Sequence, residues 1–501
     1  MNTVVEYLMN NASRYPSKTA LIDEHNQISY REFWIMALRI GNFLKEKGII
    51  NQAVGVLAKR NVFTPIIFMG ICCGGNFYVP LDPEMPGEKR EKIIHISEMK
   101  AIITDTPCEV DSYSFPCDCF SLSNISPHDN AVEPAYTACG SANDPLSLIY
   151  TSGSTGTPKG VLKTHGAIID FIEAFTNTFT FDEHEIIGNQ TPFCFDASTK
   201  DLYLTLKLGA TMVIIPTELF SFPVRLIEYM NVQKVTTILW VPSALSIVTQ
   251  LNTFLEIKPE TLKNVFFVGE TFPIKHLNKW RETLPSLRYV NLFGSTEIAG
   301  ICCYYTINPS DSFENTDILP IGRPLKNCDI FLVSQDQIIK TENTSGEIYI
   351  ASNALAREYY HDPAATNASF IICNLDGTGE KRYFKTGDMA HYDSAGNLVF
   401  ETRKDFQIKH MGHRIELGEI ETAALALEEI EKCGCVYDSI KNKIILFCEL
   451  KKESDITGRE IQSLLRSRLS SYMAPNKVII IDKMLLNANG KIDRPALKKL
   501  I

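Results

Sequence analysis

The sequence predicts an α/β protein with a large N-terminal domain of mainly parallel sheets and a small, mobile α+β C-terminal domain. Short β-branched runs alternate with amphipathic segments over the first half of the chain, as in parallel strands joined by helices. After about Val399 the pattern changes to a helix followed by two strand-like runs. The length of 501 residues exceeds what one hydrophobic core usually holds, so at least two domains are expected.

Apolar, β-branched runs in the first half are predicted to be buried strands. These runs are Gln52–Ala58, Lys100–Asp105, Leu146–Ser152 and Ala210–Pro216. Phe33–Lys47 and Pro223–Val232 are predicted to be helices, and residues 1–18 an amphipathic first helix rather than a signal peptide. The stretch Cys108–Asp144 is rich in Ser, Pro, Asp and Asn, so we expect a surface connection there.

The last hundred residues are predicted to form the small domain. Ile415–Lys432 is amphipathic and acidic in its first turns, as a helix start prefers. Lys443–Leu450 and Lys477–Met484 are strand-like and lie on either side of another helix. We therefore expect a large domain at 1–402 and a small domain at 406–501, with the boundary between them at 403–405, where the family resemblance described below implies a hinge.

Composition excludes several classes of protein. The net charge of −10 argues against nucleic acid or an anionic membrane surface as the main partner. No stretch approaches the roughly 18 apolar residues that span a bilayer. The fourteen cysteines include no C-x-x-C pair, so we expect reduced, mostly buried thiols in a cytoplasmic protein.

A loop rich in glycine and hydroxyl side chains follows the predicted strand Leu146–Ser152. Thr151–Gly160 contains three glycines, three threonines and two serines. Glycines let the backbone approach an anion, and amides and hydroxyls donate hydrogen bonds to it. Lys159 follows a proline, so the Walker pattern is not met. A flexible Ser/Gly linker is the alternative, but the loop directly follows a strand, which favours a phosphate-binding loop.

Eight further motifs follow a recognisable order along the chain. They are Ile28–Phe33, Tyr78–Pro86, Phe195–Ser198, Asn291–Glu297, Gly346–Ile350, Tyr383–Asp388, Asp405–Glu421 and Asn489–Arg494. With these motifs the chain resembles the adenylate-forming superfamily of acyl-CoA synthetases, luciferases and nonribosomal peptide synthetase adenylation domains. Its length and Phe267–Pro273 most resemble stand-alone adenylation enzymes and D-alanine–carrier-protein ligases. It departs from the family pattern at Ser295, Lys385, Thr402 and Ser471, where loop rigidity rather than a reacting group is affected.

The resemblance implies ATP and Mg²⁺ as cofactors. Lys491 would bridge the substrate carboxylate and the α-phosphate, Thr296 would bind that phosphate, and Glu297 would hold the metal. These three would be the catalytic residues. The residues expected around ATP are Thr151, Ser152, Gly153, Ser154, Thr155, Gly156, Lys159, Gly269, Glu270, Asn291, Leu292, Phe293, Gly294, Ser295, Asp388, Phe400, Arg403 and Lys491.

Within this set the resemblance implies individual roles. Phe293 would stack on adenine and Asn291 would read its edge. Asp388 would accept both ribose hydroxyls, which suits a carboxylate with two acceptor oxygens. Arg403 would contact the ribose or a phosphate, and Asp405 would be the hinge about which the small domain rotates between half-reactions.

Asp196 is the residue most informative about the substrate. By resemblance it would pair with the ammonium of an amino acid; a helix cap is the alternative. The pocket would consist of Asp196, Ala197, Lys200, Leu239, Phe266, Val268, Leu292, Gly300 and Ile301. Its apolar members suggest alanine, β-alanine or glycine. An inward Lys200 would pair with a second substrate carboxylate, but the outward orientation is favoured because burying an unpaired ammonium is costly.

The sequence therefore predicts ATP-dependent adenylation of a small amino acid and its transfer to the phosphopantetheine thiol of a carrier protein. No carrier attachment motif is found, so the carrier is expected to act in trans. A carboxylic acid–CoA ligase is one alternative, against which Asp196 argues. An inactive nucleotide-binding homologue is another, against which Lys491, Glu297 and Asp388 argue.

Overall fold

The computed structural model describes residues 1–105, 117–125, 140–151, 158–315, 317–404, 407–439, 441–451, 454–486 and 492–501. The chain divides into two compact units. The first unit comprises Met1–Pro83, Ile94–Ile149 and Gly160–Lys404, and the second comprises Glu84–Ile93, Tyr150–Lys159 and Asp405–Ile501. The predicted domain limits stay a prediction, and the predicted hinge residue Asp405 lies outside the described residues.

The strands are numbered in chain order. They are β1 (Thr19–Ile22), β2 (Gln27–Ser29), β3 (Ala53–Leu57), β4 (Phe77–Leu81), β5 (Ala101–Thr104), β6 (Asp118–Ser121), β7 (Pro145–Thr151), β8 (Lys159–Thr164), β9 (Ile186–Asn189), β10 (Thr211–Ile214), β11 (Thr237–Trp240), β12 (Asn264–Val268), β13 (Arg288–Phe293), β14 (Cys303–Ile307), β15 (Arg323–Pro324), β16 (Cys328–Ser334), β17 (Gln337–Ile339), β18 (Gly346–Ser352), β19 (Glu358–Tyr359), β20 (Phe370–Cys373), β21 (Lys381–Tyr392), β22 (Leu398–Arg403), β23 (Gln407–His410), β24 (His413–Glu416), β25 (Ile430–Asp438), β26 (Lys443–Leu450) and β27 (Lys477–Ile480).

The α-helices are numbered in the same way. They are α1 (Val5–Arg14), α2 (Tyr30–Glu46), α3 (Phe63–Cys73), α4 (Gly87–Ile96), α5 (Leu122–Ile125), α6 (His165–Thr178), α7 (Ala197–Leu208), α8 (Pro223–Val232), α9 (Pro242–Gln250), α10 (Ile274–Thr283), α11 (Pro363–Ser369), α12 (Leu417–Leu425), α13 (Gly458–Arg468) and α14 (Arg494–Lys498). Single 3₁₀ turns occur at Thr217–Ser221, Thr253–Leu255, Thr296–Ile298 and Ser471–Met473.

Two largely parallel sheets form the centre of the fold. One has the order β15-β14-β13-β12-β11-β9-β10-β1-β2 and is antiparallel only at its ends. The other has the order β19-β8-β7-β4-β3-β5-β6. Every residue of β3, β4 and β5 is buried, as expected where helices cover both faces of a parallel sheet. The predicted fold class is therefore confirmed.

A third sheet is antiparallel throughout its described strands. Its order is β17-β16-β18-β21-β20, with β22 paired to the other part of β21. The α/β alternation in the first half of the sequence does not predict this third sheet. The second unit carries the hairpin β23-β24 and the sheet β25-β26-β27, in which β26 pairs with β27 in parallel.

Element predictions differ from the structure in two places. The stretch predicted as a surface connection contains β6, which extends the second sheet beside β5, and the short helix α5. The helix predicted over Ile415–Lys432 ends at Leu425, and Ile430–Asp438 is strand β25. Pairing of β25 with β26 buries Cys433 and Cys435, so tertiary contacts override the local helical pattern.

Candidate functional site

Two adjacent strands of the third sheet bring a carboxylate and a guanidinium together. The register of β21 and β22 places Asp388 opposite Arg403, and Arg403 Nη1 lies 2.6 Å from Asp388 Oδ1. Arg403 Nη2 also donates to the Thr386 carbonyl at 3.1 Å, which fixes the guanidinium plane. Asp388 is 2% exposed, and its Oδ2 accepts no hydrogen bond from any described residue. The carboxylate is therefore held through one oxygen and open at the other.

A second buried acid follows the end of β13. Glu297 lies in the 3₁₀ turn Thr296–Ile298 and is fully buried. The Tyr359 hydroxyl donates to Glu297 Oε1 at 2.8 Å, and the Ala356 amide donates to the Glu297 carbonyl at 2.8 Å. This acid is anchored by both its side chain and its backbone. Such rigidity suits a residue that must present one oxygen to a metal ion.

The turn between β13 and Glu297 permits little variation. A Cβ at Gly294 would lie 1.9 Å from the Gly300 carbonyl oxygen, so only glycine fits there. Gly300 itself has a φ of +124°, a conformation that favours glycine. The Ser295 hydroxyl is buried and has no hydrogen-bond partner among the described residues. This orphaned donor occupies the position at which the family pattern has proline.

Other residues predicted to contact the nucleotide lie on β13, on β22 and directly after β12. The Asn291 amide donates to the Pro320 carbonyl at 2.8 Å. The ring of Phe293 lies 6.3 Å from that of Phe400, with the planes inclined by 37°. Gly269 has a φ of +99°, and Glu270 accepts from the Ser243 amide at 3.0 Å.

Several predicted residues cannot be assigned a position. Thr151 and Lys159 are described, with Thr151 Oγ1 3.5 Å from the Lys159 carbonyl oxygen. The rest of the glycine loop, Ser152–Gly156, and the predicted catalytic Lys491 lie outside the described residues, as does Asp405. The parts proposed to act on the phosphates are therefore known here only from the sequence.

Strand register gathers the apolar residues of the predicted pocket. In the parallel sheet Leu239 lies beside Phe266, and Val268 lies beside Leu292. Because side chains alternate along a strand, Phe266 and Val268 face the same side of β12. On β13 the same rule puts Leu292 on the opposite face from Asn291 and Phe293. These apolar side chains are at most 7% exposed.

An aromatic cluster lies behind this wall and was not predicted. Phe266 is within 5.0–5.7 Å, ring centre to ring centre, of Phe175, Phe179 and Phe181. A Cβ at Gly300 would already approach the ring of Phe171 to 3.3 Å. The cluster fills the space behind Phe266, so the wall on this side is rigid. Ile301, also predicted to line the pocket, is 1% exposed and belongs to the same apolar core.

Asp196, the acid predicted to bind the substrate ammonium, is already paired with a residue of the chain. Lys163 on β8 is fully buried, and its Nζ forms an ion pair with Asp196 Oδ1. Thr199 Oγ1 lies 3.4 Å from the same oxygen, whereas Oδ2 accepts no hydrogen bond from any described residue. The helix-cap alternative for Asp196 is wrong, because its side chain makes no capping bond to the first turn of α7, which begins at Ala197.

The outward orientation favoured for Lys200 is also wrong. Its side chain is buried, with the residue 2% exposed, and its Nζ donates to the Ala197 carbonyl. Burial lowers the pKa of Lys200, while the neighbouring Asp201 and Asp196 carboxylates oppose that change. Burial raises the pKa of Asp201 to about 6, opposed by Lys200 and by the Asn189 amide, which donates to Asp201 Oδ2 at 2.8 Å. The neighbouring acids explain how an ammonium tolerates burial here.

The family follows from comparison with known proteins. The profile described as "AMP-binding enzyme" matches residues 8–360, and that described as "AMP-binding enzyme C-terminal domain" matches residues 419–491. The chain belongs to the AMP-binding enzyme family. The resemblance to adenylate-forming enzymes drawn from the motifs is thereby confirmed.

Relatives within the AMP-binding enzyme family cover the chain from end to end. It is 31% identical to zwittermicin A synthase ZmaJ of Bacillus cereus over 100% of this chain and 95% of that protein. It is 30% identical to tyrocidine synthase 1 of Brevibacillus parabrevis over 97% of this chain, but spans only 44% of that protein. The adenylation domain AlmE of Vibrio cholerae, solved with glycyl-adenosine-5′-phosphate, superposes with a TM-score of 0.85 at 19% identity, covering 99% and 97% of the two chains.

Two absences are found in the described part of this AMP-binding enzyme. None of its helices combines the length and the hydropathy that a bilayer-spanning segment needs. No group of three or more His, Cys, Asp or Glu side chains is placed to hold a metal ion.

Sequence reasoning missed the most unusual residue of this AMP-binding enzyme's site. Lys163 belongs to none of the recognised motifs, whereas Lys159 lies in the glycine loop that precedes it. A signal was present: Val161 and Leu162 make a buried strand, in which a lysine requires a nearby anion. The aromatic residues Phe175, Phe179 and Phe181 also gave a signal through their spacing, but it is equally typical of an ordinary core.

Proposed function

We propose that this protein is an ATP-dependent ligase that adenylates a small amino acid and passes the acyl group to the phosphopantetheine thiol of a separate carrier protein. One observation carries the proposal. Asp196 has a carboxylate oxygen that no described residue binds, in the same unit as the apolar wall of β11–β13, and β13 leads directly into the turn that holds Glu297. The likeness in fold to the adenylation domain AlmE, which was solved with glycyl-adenosine-5′-phosphate, supports a small amino acid as the substrate.

The first half-reaction joins the substrate carboxylate to the nucleotide. A carboxylate oxygen attacks the α-phosphorus of ATP, the bond to the β-phosphate breaks, and pyrophosphate leaves. Both reactants are anionic, so positioned cations must lower their repulsion as charge builds up. Lys491 would serve this purpose at the attacking oxygen, and Thr296 would hold the α-phosphate.

Protein groups orient the nucleotide for this step. The open Oδ2 of Asp388 would accept hydrogen bonds from the ribose, with Arg403 fixing the carboxylate through Oδ1. Glu297 fits a magnesium site, because Mg²⁺ is often held by one or two carboxylates and by phosphate oxygens. Bound there, Mg²⁺ would neutralise charge on the phosphates.

The second half-reaction releases the acyl group. The carrier's thiol loses its proton and its sulfur attacks the acyl carbon, after which the bond between acyl carbon and phosphate oxygen breaks and AMP leaves. The hinge at Asp405 would allow the small domain to change faces between the two steps. No cofactor beyond ATP and Mg²⁺ is required.

Pyrophosphate exchange tests the proposal. Purified protein is incubated with ATP, Mg²⁺ and labelled pyrophosphate together with glycine, β-alanine, each alanine enantiomer, and aspartate, beside propionate and benzoate. Exchange with one or more of the amino acids is expected. Exchange with propionate or benzoate alone would overturn the assignment of an amino acid substrate and favour a CoA ligase.

A further inference from the structure

Lys163 is a fully buried lysine in the buried middle of strand β8. Its neighbours Val161 and Leu162 are buried as well. Among the described residues the Lys163 ammonium has one partner, Asp196. An unpaired ammonium at this depth would be costly, so the lysine depends on that carboxylate.

The ion pair leaves one oxygen of Asp196 for a substrate. Oδ1 is taken by Lys163 and is approached by Thr199 Oγ1 at 3.4 Å. Oδ2 has no hydrogen-bond partner among the residues that the structure describes. Asp196 retains 9% exposure whereas Lys163 has none, so the carboxylate is the accessible member of the pair.

We infer that Lys163 is a positioning residue that sets substrate selectivity by neutralising Asp196. This inference rests on the proposed function, in which Asp196 Oδ2 accepts a donor from the substrate. An unpaired carboxylate attracts an ammonium strongly, but a carboxylate already paired with an ammonium presents only a dipole. A substrate hydroxyl donates to Oδ2 without charge repulsion from Lys163. The site therefore accepts hydroxy acids as well as amino acids of the same shape.

The other charged groups near Asp196 also disfavour a substrate ammonium relative to a hydroxyl. The buried ammonium groups of Lys163 and Lys200 are balanced by the carboxylates of Asp196 and Asp201. The Arg60 guanidinium donates to backbone carbonyls near this cluster, and its positive charge is met by the carboxylates of Asp201 and Glu218. A substrate ammonium would enter a region that already has enough positive charge, whereas a hydroxyl leaves the balance unchanged.

Matched pairs of substrates test this inference in the full-length enzyme. Pyrophosphate exchange is measured with glycine and glycolate, alanine and lactate of both configurations, β-alanine and 3-hydroxypropanoate, and aspartate and malate. For the best pair we expect kcat/KM values within about tenfold of each other. Lys163→Met removes the competing charge, so the ratio should shift toward the amino acid by at least about tenfold.

Lys207→Met is the matched control. Lys207 also forms an ion pair, with Glu173, but its side chain is 28% exposed. This variant should leave the ratio unchanged. Because the ratio compares two substrates in one preparation, a loss of folded protein affects both rates equally, and a purely structural role of Lys163 would not move it.

Three results would overturn the inference. A wild-type preference for the amine above about a hundredfold would show that Asp196 discriminates as a free carboxylate. An unchanged ratio of the two kcat/KM values in Lys163→Met would show that Lys163 does not set the selectivity. The proposed function would remain intact after either of these two results. Exchange only with acids that carry neither amine nor hydroxyl would overturn the proposed function as well. If Lys163→Met does not fold, binding of the aminoacyl and hydroxyacyl sulfamoyl-adenosines to the wild-type enzyme still decides the first point.

Discussion

Asp388 and Asp196 are two buried acids of the first unit that are held in the same way but by different cations. Each has Oδ1 paired with a cation and an Oδ2 that no described residue binds. The partner of Asp388 is Arg403, which also donates to the Thr386 carbonyl and whose side chain is 10% exposed. The partner of Asp196 is Lys163, which has neither exposure nor a second partner in the described part of the chain.

This difference separates the consequences of losing each acid. Without Asp388, the guanidinium of Arg403 retains a carbonyl and some contact with water. Without Asp196, the ammonium of Lys163 is left buried and unpaired, which is the more costly case. Asp388 should therefore matter more for activity, and Asp196 more for stability.

The largest expected effect is on activity. Asp388→Asn should lower kcat/KM for ATP by about a hundredfold to a thousandfold, because a buried charge pair and the proposed ribose acceptor are lost together. The loss should be the same with every accepted acid, since the ribose is common to all of them. Pyrophosphate exchange at varied ATP measures it.

Glu380→Gln, an exposed acid shortly before β21, is the control and should leave the rate unchanged. A loss in Asp388→Asn that depends on which acid is supplied would contradict the proposed contact with the nucleotide.

The next effect is on stability. Asp196→Ala should lower the free energy of unfolding by about 3 kcal/mol, because the buried Lys163 ammonium loses its partner. Asp388→Ala should cost less. Urea denaturation followed by fluorescence compares the two variants.

Adding Lys163→Met to Asp196→Ala should recover most of the lost stability, since no buried ammonium is then left unpaired on β8. If the double variant is no more stable than Asp196→Ala, the two side chains are not coupled in the folded protein.

The smallest expected effect is on the pH dependence of stability, through the buried carboxyl group of Asp201. The pKa of Asp201 is raised to about 6 in the folded protein, from 3.8, chiefly by burial. The folded state thus takes up a proton before the unfolded state does as pH falls, so this group adds stability below pH 6 and loses that contribution as pH rises through 6.

Between pH 7 and pH 5, wild type should gain about 1 kcal/mol of stability relative to Asp201→Asn. Urea denaturation at both pH values measures the difference. Asp118→Asn, at an exposed strand position, is the control and should show no such gain. Parallel pH profiles for wild type and Asp201→Asn would contradict the raised pKa.

The same two acids show how far sequence reasoning reaches. Asp388 and Arg403 were named from motifs, and the register of β21 and β22 brings them together. Such a pairing follows from local strand geometry. Asp196 was named as well, but it directly precedes helix α7, whereas its partner Lys163 lies on β8, 33 residues earlier in the chain. A contact between the start of a helix and an earlier strand has no local periodicity that would reveal it.

The prediction that Lys200 points outward was wrong because it treated the ammonium as unpaired. Burying an unpaired ammonium is costly, but the carboxylates of Asp201 and Asp196 offset that cost for Lys200 in the structure. At β25 the local helical pattern was overridden by pairing with β26. Both partners are near in sequence, since Asp201 adjoins Lys200 and β26 is the strand that follows β25, but these contacts form only in the folded chain. The parallel strands and the helix Pro223–Val232 were predicted well because their burial pattern is local.

The alternation along β13 has a consequence for how this enzyme could diversify. Leu292 faces one way, while Asn291 and Phe293 face the other. In the proposed function, a substitution at Leu292 would change the apolar wall that meets the acid, while Asn291 and Phe293 stay on the opposite face of β13. An inserted or deleted residue would turn every later side chain of the strand to the wrong face. New specificities should thus arise here by exchange of residues at constant length, and length changes should be confined to the surrounding loops.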